Sequence, residues 1–326
     1  MYKQYVALCT LVIISLISGC SDNDHTDNAK HYPTKNLQII CPWGAGGGTD
    51  RISRFFAEQL KQQLGKNCVV VNRTGGSGAV GHKAGANANA DGHTIAMITA
   101  ELSTMHQLDI TDITYQDYRP LLQINGDPAA ILIGKNSPYR TLVDFLDAVR
   151  ESPGKLKMSG TAAGGTWDLA RAGLFKEVGL SKDDVIWVPT KGSAESVQNL
   201  LGGHLDAVCC SLPEAALQLR AGDIRGLAVM ADHRDTMFPE IPTALEQDVN
   251  WTSVGWRGFA TQKEVPSEIA TILQKHLLQI AESEDYKQFM ADQGFTIDIK
   301  SGEEFREFLQ QQDQQWKSVL EYYVTQ

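Results

Sequence analysis

Short unbroken apolar runs alternate along this chain with longer stretches whose apolar residues recur every three or four positions. That is the pattern of buried parallel strands joined by amphipathic helices. Leu37-Gln38-Ile39-Ile40-Cys41 precedes a segment that sets Ile52, Phe55, Phe56, Leu60 and Leu64 on one helical face and stops at Gly65. Val69-Val70-Val71 and Thr94-Ile95-Ala96-Met97-Ile98 read as the next strands, and Ala129-Ala130-Ile131-Leu132-Ile133 restarts a similar programme. Thr141 and Asp144 form a capping box for a helix with Leu142, Phe145, Leu146 and Val149 inward. Strands follow at 155–159, 185–188, 206–210, 226–230 and 254–260, and helices around 269–281 and 305–323 are expected to pack on the first domain. The class is α/β. Roughly 300 residues follow Tyr32, more than one core usually serves, so two domains are expected.

Three strand-to-helix turns are rich in glycine and free of charge: Gly44-Ala45-Gly46-Gly47-Gly48-Thr49, Gly75-Gly76-Ser77-Gly78 and Gly160-Thr161-Ala162-Ala163-Gly164-Gly165-Thr166. Glycine lets backbone N–H groups approach a ligand, and a helix N-terminus adds partial positive charge, so the turns read as a carboxylate-binding apparatus. The first and third are alike: Gly47-Gly48-Thr49-Asp50 is followed by Arg54, and Gly164-Gly165-Thr166-Trp167-Asp168 by Arg171, as in two analogous half-sites. Asp50 and Asp168 fall in first helical turns, where the dipole stabilises a carboxylate. Helix ends worth about 0.3–1 kcal/mol each, with three or four charge-assisted hydrogen bonds of about 1.5–3 kcal/mol, reach the roughly 8 kcal/mol of micromolar binding without an arginine clamp.

A mostly apolar run from Val6 to Ile17, too short to span a membrane, ends in Ile17-Ser18-Gly19-Cys20. These four residues look like a bacterial lipobox, so residues 1–19 are read as a lipoprotein signal peptide and Cys20 as the acylated residue; a signal cut elsewhere is the alternative. Residues 20–33 form a polar, acidic tether, and the location is the periplasm or cell envelope, lipid-anchored. The formal net charge of −10 argues against nucleic acid and anionic lipid as partners. An anionic ligand must therefore be captured locally, against the field of the whole protein.

Cys41, Cys68, Cys209 and Cys210 read as buried free thiols. No Cys/His zinc spacing, HExxH or paired histidine occurs, so no metal and no cofactor is expected. Gly76-Ser77-Gly78-Ala79-Val80-Gly81 fits G-x-G-x-x-G but follows the second strand and lacks the downstream acid; close helix–strand packing explains it. Ser152-Pro153-Gly154-Lys155 is a turn. Ser211 with Glu214 reads as a capping box or a ligand contact.

Tyr32-Pro33-Thr34-Lys35, Pro42-Trp43-Gly44 through Asp50, Val71-Asn72-Arg73-Thr74-Gly75-Gly76, Asp91-Gly92-His93-Thr94, Leu200 through Asp206 and Ser253 through Phe259 together resemble the solute-binding proteins of tripartite tricarboxylate transporters, the Bug-type or TctC-like receptors. The resemblance covers essentially the whole mature chain. It implies a periplasmic binding protein type II-like fold, two lobes with mixed, mostly parallel sheets joined by a hinge. The chain is expected to cross between lobes at 129–133 and 258–261, with lobe I at 34–128 plus 259–326 and lobe II at 129–258. By that analogy the first and third turns face each other and hold one carboxylate. The site residues are Trp43, Gly46, Gly47, Gly48 and Thr49 from the first loop, Thr161, Gly164, Gly165 and Thr166 from the second, and Ser211 after the strand at 206–210. Glu101 and Arg257 add charge beside the cleft, and Trp167 lines it or packs behind it. Where many members carry an aspartate, this chain has the neutral Ser211, which weakens the case for an amino-acid ligand.

The resemblance implies a monomeric receptor, not an enzyme, that delivers a small carboxylate to the large and small membrane subunits of a transporter. Citrate-like, dicarboxylic, aromatic-acid and amino-acid ligands stay open. A ligand sensor for a signalling partner and an envelope enzyme are the competing readings; the latter needs a converging base and nucleophile that Glu101 alone does not supply.

Overall fold

The computed structural model describes residues 31–325. The expected signal peptide, Cys20 and nearly all of the tether lie outside those residues. In the first lobe β1 (Leu37–Cys41), α1 (Gly48–Leu64), β2 (Cys68–Asn72), α2 (Ala79–Ala86) and β3 (Thr94–Thr99) follow one another as βα units. β1 lies between β2 and β3 and is parallel to both. α1 buries Ile52, Phe56 and Leu60, and Gly65 ends it in the left-handed conformation with its N–H on the Lys61 carbonyl. The apolar period thus gave both the face and the stop of this helix.

The second lobe comprises the end of β4 (Tyr118–Gly134), then α3 (Leu142–Glu151), β5 (Lys157–Ser159), α4 (Thr166–Glu177), β6 (Ile186–Trp187), α5 (Ser193–Leu201), β7 (Ala207–Ser211), α6 (Ala216–Arg220) and β8 (Ile224–Val229). The chain returns through β9 (Val254–Gln262) to α7 (Ser267–Ala281), α8 (Glu284–Gln293), β10 (Lys300–Ser301), α9 (Gly302–Gln315) and α10 (Lys317–Thr325). Both sheets are mixed. Their parallel strands are those of the βα units, and the antiparallel ones come from the crossing strands.

β4 belongs to both sheets. Up to Pro128 it pairs with β9, and from Ala129 it pairs with β7 and β8. Pro120 and Pro128 have no N–H to give, and the register slips beside Pro120 and again between Gln123 and Asn125. The outward crossing falls at Pro128–Ala129, at the start of the expected segment. The return crossing does not fall at 258–261: β9 pairs from Val254 onward with the first-lobe part of β4, and from Arg257 with β3. The apolar run at 254–260 is a first-lobe strand, buried from Gly255 onward, so the lobes part before it begins.

One continuous core fills the second lobe, built on Ala129 through Ile133, Phe145, Phe175 and Val208 through Cys210. The first lobe holds two, one around Phe56, Phe259 and Tyr286 and one around Trp256, Phe305 and Leu309. The last helix leaves the lobe assigned to it. α9 packs on the first lobe through Phe305 and Leu309, but α10 sets Val319 and Leu320 against Leu169 and Ala172 of α4. Tyr322 donates to the Leu180 carbonyl and Tyr323 to Asp168, each at 2.6 Å. An amphipathic face does not name its partner, and α4 offers an apolar stripe that its own lobe leaves bare.

The four cysteines among the described residues, Cys41, Cys68, Cys209 and Cys210, are free. Burial pushes the Cys41 and Cys68 thiols up to about 11 and about 12, which makes them poor nucleophiles. Cys68 is only half-buried, since β2 is an edge strand.

The G-x-G-x-x-G segment is a packing device. A Cβ on Gly81 would lie 2.5 Å from Pro42 Cα and 2.7 Å from the Arg73 carbonyl oxygen, both backbone atoms. Gly81→Ala is therefore expected to cost about 1–3 kcal/mol of stability by overpacking. Gly134→Ala, where nothing lies within 4 Å, should stay within about 0.5 kcal/mol of wild type. Denaturant titration of the two variants checks this.

Candidate functional site

A cleft opens beyond the carboxyl ends of β1 and β3 in one lobe and of β5 and β7 in the other, where α/β sheets place their ligands. Three helices begin at it. α1 presents Gly47, Gly48 and Thr49, α4 presents Thr166 and Trp167, and α5 presents Gly192 and Ser193. Hydroxyl bonds hold the start of α5 in place: Ser196 joins Thr190 at 2.7 Å and Ser159 at 2.9 Å. A Cβ on Gly47 would sit 3.8 Å from Ser193 Oγ, so α1 and α5 meet across the gap.

Two of these helix starts already hold a carboxylate, each from the opposite lobe. Glu101, just after β3, accepts from Thr166 N–H at the start of α4, at 2.9 Å. Glu214, after β7, accepts from Gly48 N–H at the start of α1, at 3.3 Å. Glu101 is aimed by a relay. Its Oε2 accepts from Thr99 Oγ1, which accepts from Trp43 Nε1, while the Thr99 N–H donates to His82 Nε2. Burial lowers the pKa of His82, and its other ring nitrogen donates to the Gly78 carbonyl, so the ring is the neutral tautomer. The amides of Gly47, Thr49, Trp167 and Ser193 have no hydrogen-bond partner among the described residues.

Further lobe-to-lobe bonds draw the cleft shut: Gly44 N–H to the Lys191 carbonyl, Ser77 Oγ to the Ala163 carbonyl and Arg51 to the Pro213 carbonyl. About 30 Å³ inside is open to a water-sized body, room for one or two waters.

Arg257 is the central cation. Its Nε donates to Thr49 Oγ1 at 3.0 Å, Nη1 to Asp127 at 2.7 Å and Nη2 to Glu214 at 3.2 Å. Burial works against its charge, but Glu214 and Asp127 prevail and raise its pKa. Burial likewise pushes the Asp127 carboxyl up, against the pull of Arg257 and of the Thr296 N–H.

Of the residues expected from sequence, Trp43, Gly47, Gly48, Thr49, Glu101, Thr161, Thr166 and Arg257 line the cleft, and Trp167 lines it too. Gly46, Gly164, Gly165 and Ser211 do not line it. The N–H groups of Gly46 and Gly164 each donate at 2.9 Å to the aspartate four residues on, Asp50 or Asp168. Those aspartates are in turn bound by Arg54 and Arg171. The two half-sites are real as matching braces, and the amides at their outer bends are consumed in bracing. Gly165 turns its N–H to the Ala162 carbonyl, and a Cβ there would meet Thr161 Oγ1 at 2.6 Å. Ser211 is fully buried and makes no cap, so the capping box with Glu214 does not form. Glu214 reaches across the gap instead, because Gly48 and Arg257 offer it a cation and an amide. Sequence reasoning missed Glu214 as a cleft residue, and also Gly192 and Ser193. The signal was the single glycine of Thr190-Lys191-Gly192-Ser193 before a helix, where Gly192 takes a φ of 146°. Among the described residues no cluster of three or more His, Cys, Asp or Glu is placed to hold a metal.

Two sheets sharing a long crossing strand, with helix starts converging between them, define a two-lobed α/β binding protein. The model of the tripartite tricarboxylate transporter family receptor matches residues 52–323, and the chain belongs to that family. It is similar to Protein BugT of Bordetella pertussis, 29% identical over 301 residues and 90% of each chain. A crystal structure of a TctC solute-binding protein from Polaromonas, without ligand, is 30% identical over 89% of this chain and 99% of that one, with a TM-score of 0.65. A Rhodopseudomonas palustris protein solved with adipate shares the fold, with a TM-score of 0.84 at 24% identity over 90% of this chain and 98% of that one.

Arg257→Ala strands two buried carboxylates, Asp127 and Glu214, and is expected to cost about 3–5 kcal/mol in the ligand-free protein, read from denaturant unfolding. Burial would raise the Asp50 pKa, but Arg54, the Gly46 amide and Asn72 together hold it below the usual aspartate range. Its contribution to stability is then full above the unfolded aspartate pKa near 4 and lost as pH falls through the lower folded value. The stability gap between wild type and Asp50→Asn should be wide at pH 7 and shrink toward pH 3 in parallel denaturant titrations.

Proposed function

We propose that this protein is an extracytoplasmic receptor that closes on a small carboxylate and delivers it to the large and small membrane subunits of a tripartite tricarboxylate transporter. The observation that carries this is the meeting of three helix N-termini at one cleft, with the amides of Gly47, Thr49, Trp167 and Ser193 unpartnered among the described residues. Oriented N–H groups converging in a narrow cleft attract an anion at short range, whatever the net charge of the rest of the molecule. The adipate bound by the Rhodopseudomonas palustris relative agrees with that chemistry. The ligand-binding residues are Trp43, Gly47, Gly48, Thr49, Thr161 and Thr166 with Gly192 and Ser193, and Glu101 shapes the wall opposite.

The lobes move as residues 34–128 with 254–316 against residues 129–253, about the paired crossings at Pro128–Ala129 and Ser253–Val254. The protein acts as a monomer in the periplasm or cell envelope, with an acyl anchor at Cys20 and a tether before the folded body. It belongs to a receptor family and acts as a receptor rather than an enzyme; Glu101 has both oxygens committed to Thr99 and Thr166. Among the described residues no helix is long and apolar enough to cross a membrane.

A thermal-shift screen over succinate, malate, adipate, citrate, glutamate and benzoate tests the reading, since a tight ligand raises the melting temperature by mass action. At least one is expected to stabilise the wild type. Gly47→Asp, which sets a carboxylate between α1 and α5, should lower that affinity by about a hundredfold or more with an unchanged circular dichroism spectrum. Wild-type affinity in that variant overturns the site.

A further inference from the structure

A second cavity, of about 460 Å³, lies beside the crossing strands. It falls within the roughly 300–1,000 Å³ of small-molecule sites, against about 30 Å³ in the cleft. Its wall comes from both lobes: Gln123, Trp256 and Phe308 from the first, Trp251 and Ser253 from the second, and Trp316 where α9 gives way to α10. Successive side chains of a strand face opposite ways. Arg257 accordingly points to the cleft, while the Trp256 indole packs edge-on against Phe308 in the wall of this cavity.

Four of the wall residues, Gln123, Ser253, Trp256 and Trp316, are each 7% exposed or less. Each carries a polar atom with no partner among the described residues: Gln123 Oε1, Ser253 Oγ and the two indole Nε1. Buried indole N–H groups ordinarily find an acceptor, and an idle one costs stability. Four such atoms around one cavity point to a molecule that completes them.

The charge of the wall selects its kind. Among the described residues no lysine, arginine or histidine lines the cavity, so an anion finds no cation there. The one acid, Asp298, is already held by Gln123 Nε2 at 2.6 Å and by Lys300 Nζ. Lys300 also sits 5.0 Å above the Phe308 ring, the place an incoming cation would take. A carboxylate only accepts and an ammonium only donates, but the idle atoms are of both kinds. A hydroxyl serves both.

We propose that this cavity is a second binding site, separate from the cleft, for an uncharged polyhydroxylated ring of monosaccharide type. Its hydroxyls accept from the Trp256 and Trp316 N–H groups and donate to Gln123 Oε1, with Ser253 Oγ doing either, and its C–H face lies on an indole. The four atoms are covered as the wall stands, so these side chains turn toward the ligand as it enters. Because the wall is shared between lobes, an occupant that fits one hinge angle better than another shifts the lobes toward it. The assignment does not depend on what the cleft binds.

The test is isothermal titration of the full-length protein with glucose, galactose and mannose, each beside its 2-amino-2-deoxy and its uronate derivative. The series is repeated on Gly47→Asp, in which the cleft is blocked. At least one neutral sugar is expected to bind below about 1 mM in both proteins, and about tenfold tighter than its two charged derivatives. Trp316→Phe keeps an aromatic ring but loses the N–H, and should weaken that binding about threefold to tenfold. Ser318→Phe, at an exposed position on the rim, should abolish it, and decides the location by itself should Gly47→Asp fold poorly. No binding of any neutral sugar up to about 10 mM leaves water as the occupant and overturns the proposal. Binding that Ser318→Phe retains and Gly47→Asp loses places the sugar in the cleft and overturns it equally, as does equal affinity for the charged derivatives.

Discussion

Each lobe of this protein lends a carboxylate to a helix start of the other. Glu101 caps α4 from the first lobe and Glu214 caps α1 from the second, and the remaining geometry of the cleft follows from that exchange. A helix N-terminus pointing into a gap attracts negative charge whether or not a ligand is present. With two of the three starts filled from within, the closed form is held by the same chemistry that would hold a ligand. The amides of Gly47, Thr49, Trp167 and Ser193 stay without a partner among the described residues, and they are the proposed seat of an incoming anion.

The scaffold makes the exchange possible by keeping the lobes in register while letting them turn. β4 runs unbroken through both sheets, and β9 lies beside its first-lobe half, so the hinge is a pair of adjacent strands rather than a loose linker. Pro128 ends one set of ladder bonds where the other begins. α10 adds a strap: it leaves the first lobe after α9 and buries Val319 and Leu320 on α4. Tyr323 meets the same Asp168 that braces the third glycine turn. The helix that follows α9 is thus tied to the turn that presents Thr166 to the cleft.

The acidic character of the chain and its capture of an anion are reconciled at short range. Buried amides act over a few ångströms in a water-poor gap, while the surface charges are screened within about 10 Å at ordinary salt. Arg257 does not serve as a free clamp. Each of its three nitrogens is engaged, with Thr49, Asp127 and Glu214, and its task is to join two buried acids from the two lobes.

Much of this was legible in the sequence, because helix faces, strand cores and tight turns are local consequences of residue order. The faces of α1 and α3, the stop at Gly65, the packing role of Gly81 and the loops that line the cleft all follow from apolar period and glycine placement. The likeness between Gly47-Gly48-Thr49-Asp50 and Gly164-Gly165-Thr166-Trp167-Asp168 was visible too. Whether their outer amides face a ligand or an aspartate four residues on was not, since both satisfy the same local rule. Tertiary structure alone decided that Glu214 turns from its own helix cap to Gly48 and Arg257, that Gly192 and Ser193 arrive opposite Gly47, and that α10 crosses to the other lobe. Each of these joins groups far apart along the chain, through charges and apolar faces whose partners are set by which surfaces the fold leaves uncovered.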